Sequence, residues 1–393
     1  MATTLNEKTF AQLFTAAGGA NGTRVNAQGR IEAAATPAFD YDPITLVAQG
    51  LLFRGPARAN LLTNSQLSTL GVGEGLTPPT VGTATVDGEP CASVTFTSAM
   101  TPGYTGSRWR PSNSSAPIAT TNAYSQSAYV KLSRPLVGNE GLTVYYTGAS
   151  GMGTFAITAA NSAPYAERFT RIETPKITPA ANGTVYPVVH INTAVGSNLT
   201  VWICKGQVEI GPTVSGYIPT MAAALTRSVD VVTIPNVHLA PWFNPVEGTF
   251  VVDFDIFAQT EGGQQQGLLT IARADNTSYL AASVQSNGGV IIQAPGLNVS
   301  TGAGLVPVGA QHRVAFSYKV GQKIALSVGG AVAIQSAANF PAFAAGALDA
   351  RLGTFAGNPG PLTGRIKNFL YWPKAANAVE LASLTPETEA IVG

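Results

Sequence analysis

Apolar and polar residues alternate with period two in short runs along most of the chain, the signature of half-buried strands. The clearest run is 248–256, which sets Phe250, Val252, Phe254 and Ile256 on one face and Asp253 and Asp255 on the other. Similar runs occupy 93–97, 127–132, 142–146, 154–157, 168–172, 186–191 and 199–208, and then 267–271, 279–284, 289–292, 312–318, 323–330, 350–353 and 364–373. Each is bounded by Gly, Pro, Ser or Asn, the residues that turn a chain. The pattern predicts an all-β protein of two tandem antiparallel β-sandwich (jelly-roll) modules, 56–228 and 229–393, behind an extended N-terminal arm, 1–55. One helical turn is expected over 380–385.

The arm reads differently from the modules. Phe10, Leu13 and Phe14 have helical spacing, and Asn6 is placed to cap that turn ahead of Glu7 and Lys8. Fifty-five residues cannot bury a core of their own. Phe10, Phe14, Phe39, Tyr41, Leu51 and Phe53 are therefore expected to attach the arm to something else: the first module, a neighbouring subunit or a larger particle. Asp40 and Asp42 flank Tyr41 ahead of Pro43, which reads as turn chemistry, because two carboxylates are too few for calcium.

Composition narrows the function classes. Only 11% of the 393 residues are charged and the net charge is +1, so no basic field is available for nucleic acid. No run of about 18 apolar residues marks a membrane helix. Low charge fits either an assembly that hides neutral surface or a neutral ligand such as a sugar. Cys91 and Cys204 are read as two buried thiols, with no disulfide implied. The opening residues lack the basic start and apolar core of a secretory leader, which gives an expectation of cytoplasmic synthesis.

Signs of catalysis are sparse. His190, His238 and His312 form no two-histidine helix motif, and no serine stands in a G-x-S-x-G elbow. Asp253 and Asp255, neighbours on one strand face, are read as solvent-face charges rather than a glycosidase pair, with a metal-supported ligand loop as the alternative. The expectation is a protein that is not an enzyme and uses no cofactor or metal. Aromatic placement says more. Tyr104, Arg108, Trp109 and Arg110 fall in a Pro-, Ser- and Gly-rich stretch with no strand pattern. They are the candidate carbohydrate-binding residues, an aromatic platform flanked by guanidinium groups; the alternative is a loop anchor packed on its own sandwich or a neighbour. Trp202 and Trp372 are read as core, and Trp242, where the second module begins, as an inter-module plug.

Longer motifs carry a resemblance. Gln207, Glu209, Gly211, Tyr217, Ile218, Pro219, Thr220, Thr226 and Arg227 form a Q-x-E-x-G…Y-I-P-T…T-R ending. It resembles the close of carbohydrate-binding-module-like jelly rolls in bacteriophage virion proteins. Upstream, Thr23-Arg24-Val25-Asn26 and Phe39-Asp40-Tyr41-Asp42-Pro43 resemble the same proteins. There Arg54 precedes Gly55 where an acidic residue often stands, a departure with no functional consequence drawn. The strand His312-Arg313-Val314-Ala315-Phe316-Ser317-Tyr318 and the ending Tyr371-Trp372-Pro373 resemble concanavalin-like, laminin-G-like sandwiches.

The resemblance implies a structural virion protein (head fibre, spike or capsid decoration) that aids adhesion to host glycans. A tail-borne receptor-binding adhesin is the alternative, and a glycan-cleaving enzyme with binding modules is a third class. Implied partners are a second and third copy of the chain in a homotrimer, capsid or tail proteins, and host-surface polysaccharide, with no nucleic acid and no membrane. The implied location is the virion, made in a bacterial cytoplasm.

Overall fold

The computed structural model describes residues 10–386, apart from 69–70, 148–152, 212, 261–263 and 355–359. The capping residue Asn6, the side chain of Phe10 and the motif's Pro212 lie outside the described residues. The molecule is nearly all β, with 49% strand and 5% helix. The chain divides into two compact units, 58–227 and a second formed by 1–57 together with 228–393.

The unit 58–227 is a sandwich of two antiparallel sheets. One runs in the order Thr154–Thr158, Gly141–Thr147, Gly183–Ile191, Arg108–Pro111, Gly71–Glu74, with Ala116–Ile118 also on Gly183–Ile191, six strands in all. The other has five strands in the order Thr170–Ile177, Tyr124–Leu132, Leu199–Ile210, Glu89–Phe96, Thr80–Val86. Inward residues of both meet in one core: Trp109, Val144 and Val189 from the first sheet, Val94, Val130, Val201 and Ile203 from the second. Trp202 alternates outward and is only half-buried, so it is not the core residue expected. Cys91 and Cys204 are buried free thiols, and burial pushes the Cys91 thiol up to about 11.

Strand Leu199–Ile210 alternates at its start, then is buried on both sides from Ile203 to Glu209. The chain that follows it explains the change. Gln207 Nε2 donates to the carbonyls of Ser215 and Gly216, both at 3.3 Å, and its Oε1 accepts from the Ile218 amide at 2.7 Å. The Glu209 carboxylate accepts from the amide and the hydroxyl of Ser215, each at 2.6 Å. Thr220 and Ser65 exchange bonds at 2.7 and 3.0 Å, and Tyr217 OH lies 2.7 Å from Ser65 Oγ. The Gln, Glu, Tyr and Thr of the ending are therefore a buried polar clasp in which the strand holds its own exit. The clasp leads to Leu225–Arg227, which pairs with Arg58–Asn60, so the unit begins and ends on one two-stranded ribbon.

The other unit has two seven-stranded sheets. The first is ordered Thr15–Gly18, Asp230–Ile234, Asp349–Leu352, Gln265–Ala272, Tyr279–Gln285, Val290–Ala294, Leu297–Ser300. The second is ordered Ile334–Asn339, Lys323–Val328, Gln311–Lys319, Glu247–Ile256, Thr363–Trp372, Ala48–Arg54, Phe39–Tyr41. Phe250, Val252, Phe254 and Ile256 enter the core as the alternation requires. Asp253 and Asp255 do take the opposite face, but not as free solvent charges: Asp253 is paired with Arg313 and Asn368, and Asp255 with Arg365. Trp372 also lies on that outer face, half-buried against the cluster around Leu381, rather than in the main core. Leu381 belongs to the helix Ala378–Leu384, started by a capping box between Asn377 and Glu380.

The N-terminal residues are not a detached arm. Ala48–Arg54 pairs with Thr363–Trp372, matching Leu51 with Ile366 and Phe53 with Gly364. Thr15–Gly18 pairs with Asp230–Ile234. Leu51 and Phe53, 4% and 1% exposed, belong to the core of this sandwich, and Phe14 packs against it. Tyr41 is half-buried, and Phe39 is 37% exposed. So short a stretch does need a core from elsewhere, and the core it uses is that of residues 228–393, because its strands extend those sheets.

Arg54 joins the pieces. Its side chain and that of Asp230 are 1% and 2% exposed and lie 2.6 Å apart. Arg54 also donates from Nε to Thr23 O at 3.0 Å and from Nη2 to Ala34 O at 2.7 Å, while its amide donates to Asp230 Oδ2 at 2.9 Å. Thr36 Oγ1 donates to the same carboxylate. Burial works first against the Arg54 charge, and Asp230 is the main opposing influence.

Two outcomes follow. Arg54→Ala leaves the Asp230 carboxylate buried without its cation, so urea titration is expected to show a loss of about 3–5 kcal/mol. Residues 58–227 expressed alone are expected to give a cooperative transition, whereas 228–393 without 1–57 is not. A cooperative transition from 228–393 alone, or an unchanged midpoint for Arg54→Ala, would contradict this account.

Candidate functional site

Arg108–Pro111 is a strand where the sequence suggested a loop, and it splits the four candidate residues. Alternation turns Trp109 inward and Arg108 and Arg110 outward. Trp109 is 0% exposed and sits in the core beside Val144 and Val189, so it is no exposed platform. A Cβ on Gly71 would lie 1.9 Å from Trp109 Nε1, which is why the neighbouring strand carries glycine there. Tyr104 lies before the strand in a loop pinned by Gly103 N to Ile191 O at 2.8 Å and by Thr77 N to Gly106 O at 3.1 Å. It is 40% exposed.

Register assembles the rest of the outer face. Arg108 lies between Glu74 on one neighbour and His190 on the other, and His190 is opposite Thr143. Tyr145 and Tyr186 share the face with His190 through the same two-residue period. Glu74 sits between the two arginines: Oε2 accepts from Arg108 Nε at 2.9 Å and Oε1 from Arg110 Nε at 2.6 Å. The Arg108 guanidinium lies 4.0 Å from the Tyr104 ring centroid, and that of Arg110 lies 5.4 Å from the Tyr186 centroid. Ring centroids are 5.9 Å apart for Tyr104 and Tyr145 and 5.2 Å for Tyr145 and His190.

The charges of this face are set by burial and by the pairing. Burial works against ionised Glu74, but hydrogen bonds from Arg110 and Arg108 outweigh it and hold its carboxyl below the ordinary value. Burial, then the Arg108 charge, brings His190 down to about 4, so it is neutral at pH 7. Burial pushes the Tyr145 hydroxyl up, keeping it protonated. Tyr145 OH and His190 Nδ1 are buried and have no hydrogen-bond partner among the described residues. Buried polar groups are usually paired, so two orphans on one face mark a place where another molecule can supply partners. Aromatic faces, guanidinium donors and a carboxylate acceptor are together suited to a saccharide's C–H faces and hydroxyls.

Of the residues singled out from the sequence, Tyr104, Arg108 and Arg110 come together on this face, where Glu74, Tyr145, Tyr186 and His190 join them without having been singled out for binding. The period-two runs at 142–146 and 186–191 already set Tyr145, Tyr186 and His190 on alternating positions, but nothing local indicates which strands become neighbours. The attachment residues Phe10, Phe14, Phe39, Tyr41, Leu51 and Phe53 are not brought to this face; those with described side chains belong to the other unit. That unit carries a groove of about 350 Å³ lined by Trp372, Lys374, Glu380 and Ser383 among others. Its Glu380 already accepts from Asn377 N at 2.8 Å in the helix cap. Trp242 packs edge-on to Tyr371, 5.3 Å between centroids, within the same unit. Asp42 accepts from the amides of Ile44 and Thr45, both at 2.8 Å, as turn chemistry would have it. Among the described residues no group of three or more His, Cys, Asp or Glu could hold a metal ion.

No family model matches the chain, and no curated protein sequence matches it. Solved structures do. The CBM40 module of Ruminococcus gnavus IT-sialidase, bound to α2,3-sialyllactose, is similar over 36% of this chain and 83% of its own, at 16% identity and a TM-score of 0.29. A heptameric SAP-like pentraxin from Limulus polyphemus covers 35% of this chain and 69% of its own, at 12% identity and 0.28. Trypanosoma rangeli sialidase, in complex with sialic acid, covers 77% of this chain and 61% of its own, at 11% identity and 0.29. Scores this low assign no ligand or reaction to the chain. The expectation of a protein that is not an enzyme is withdrawn, since a sialidase is among the similar structures, and neither an activity nor its absence is assigned to the chain.

Trp109→Ala is expected to cost about 3–5 kcal/mol of stability in denaturant titration, as truncation of a buried aromatic does. Tyr104→Ala is expected to leave the midpoint nearly unchanged. His190 titrates near pH 4 folded and near its ordinary 6.5 unfolded, so the unfolded chain takes up its proton first on acidification. Its contribution to stability is therefore complete above pH 6.5 and is lost as pH falls toward 4. An imidazole midpoint near 6.5 by NMR would show His190 to be solvated.

Proposed function

We propose that this chain is a glycan-binding β-sandwich protein of a phage particle, which holds saccharide on the outer face of its six-stranded sheet. The observation that carries the binding is the strip Tyr104, Arg108, Glu74, Arg110 and Tyr186, with the unpartnered Tyr145 hydroxyl beside it. Stacking surface and hydrogen-bonding groups of both signs are close together there. A few such contacts bind weakly, so several copies on one particle would supply avidity.

The virion setting rests on the resemblance of the Q-x-E-x-G…Y-I-P-T ending and of the N-terminal pattern. Assembly as a homotrimer and association with capsid or tail proteins come from the same source. Attachment is no longer assigned to residues 1–55, whose described strands serve the sandwich itself.

Titration of host-surface polysaccharide into the full chain is expected to show binding that Tyr104→Ala reduces at least tenfold while the thermal transition stays in place. Unchanged affinity with intact folding would remove this face as the receptor contact. Antibody labelling of intact particles under the electron microscope is expected to decorate capsids or tails; undecorated particles would remove the virion role.

A further inference from the structure

We infer that the saccharide on this face carries a carboxylate, and that this group seats on the terminal nitrogens of Arg110 beside Arg108; the inference rests on the glycan reading above. Two guanidinium groups here share one carboxylate, Glu74. Arg108 donates from Nε to Glu74 at 2.9 Å, and its Nη2 lies 2.8 Å from the same oxygen as an ion pair. Arg110 gives it only Nε, and no described residue accepts from its two terminal nitrogens. The side chains of Arg108, Arg110 and Glu74 are 22%, 34% and 22% exposed, so the group is partly withdrawn from water and one positive charge is left uncompensated.

His190, in the same row, is neutral and adds no charge of its own. Tyr145 is 2% exposed, and its unpaired hydroxyl lies in the field of Tyr104, Arg108, Tyr186 and Glu74. A planar carboxylate matches the planar fork of a guanidinium in a way that a lone hydroxyl does not. It would balance the spare charge, and a neighbouring ligand oxygen would give the Tyr145 hydroxyl an acceptor. Glu74 keeps its own role as acceptor for sugar hydroxyls along the strip.

The test titrates the full chain with oligosaccharides of alginate, polygalacturonate and hyaluronan, each alongside its carboxyl-reduced counterpart, with tyrosine and tryptophan fluorescence or NMR shifts as readout. The expected result is binding of at least one acidic form and at least tenfold weaker binding of its reduced counterpart. Arg110→Gln should abolish that preference without moving the thermal transition. Equal or tighter binding of the reduced sugars overturns the carboxylate and leaves the glycan reading in place. Failure of every acidic form to bind overturns the carboxylate too, and the neutral sugars then decide the glycan reading by themselves.

Discussion

The sandwich built from 1–57 and 228–393 depends on a buried ion pair. Arg54 ends one strand just before the chain leaves this unit, and Asp230 opens another just after it returns. Isolated charges this deeply buried would be prohibitive. They are tolerated because Arg54 also donates to the carbonyls of Thr23 and Ala34, and because the Asp230 carboxylate takes a backbone amide and the Thr36 hydroxyl besides. The pair thus ties the hairpin of Thr23–Val25 and Ile31–Ala33 and both flanking strands to one point. The glycines at 19 and 22 follow from it, since a Cβ at either would lie within 2.8 Å of the guanidinium.

A second polar cluster performs the equivalent task for residues 58–227. Gln207 and Glu209 satisfy the backbone of Ser215, Gly216 and Ile218 where no sheet partner is present. Asn60 does the same across the entry ribbon, donating to Gly206 O and Ile218 O at 3.1 and 2.8 Å. A segment containing Pro219 cannot complete a ladder, so side chains replace it. The most recognisable motif of the chain is therefore a device for closing the unit and lies apart from the candidate ligand face.

The strand content was legible because alternation is local. Phe250 to Ile256 and Leu199 to Val201 declare their buried face within a few residues. The Arg108–Pro111 strand was not legible: four residues among Pro, Ser and Gly are too few to show a period, and without the period Trp109 cannot be told from an exposed aromatic. Glu74 was invisible for another reason. Its meaning lies in two arginines more than thirty positions away, 34 and 36, and only strand register brings them together. The N-terminal strands failed similarly, since their need for a core was plain from length while the core's identity lay at the far end of the chain.

That separation has a consequence for how the protein is made. The partner of Ala48–Arg54 is Thr363–Trp372, so Leu51 must wait for Ile366, 315 residues later, before its strand can pair. Residues 58–227, by contrast, hold all their own sheet partners and emerge complete much earlier. Since domains generally fold as units during synthesis, the middle of the chain is expected to be finished first. Until the last strands leave the ribosome, the N-terminal apolar strands remain open edges, and over that interval the nascent chain is most exposed to pairing with another copy.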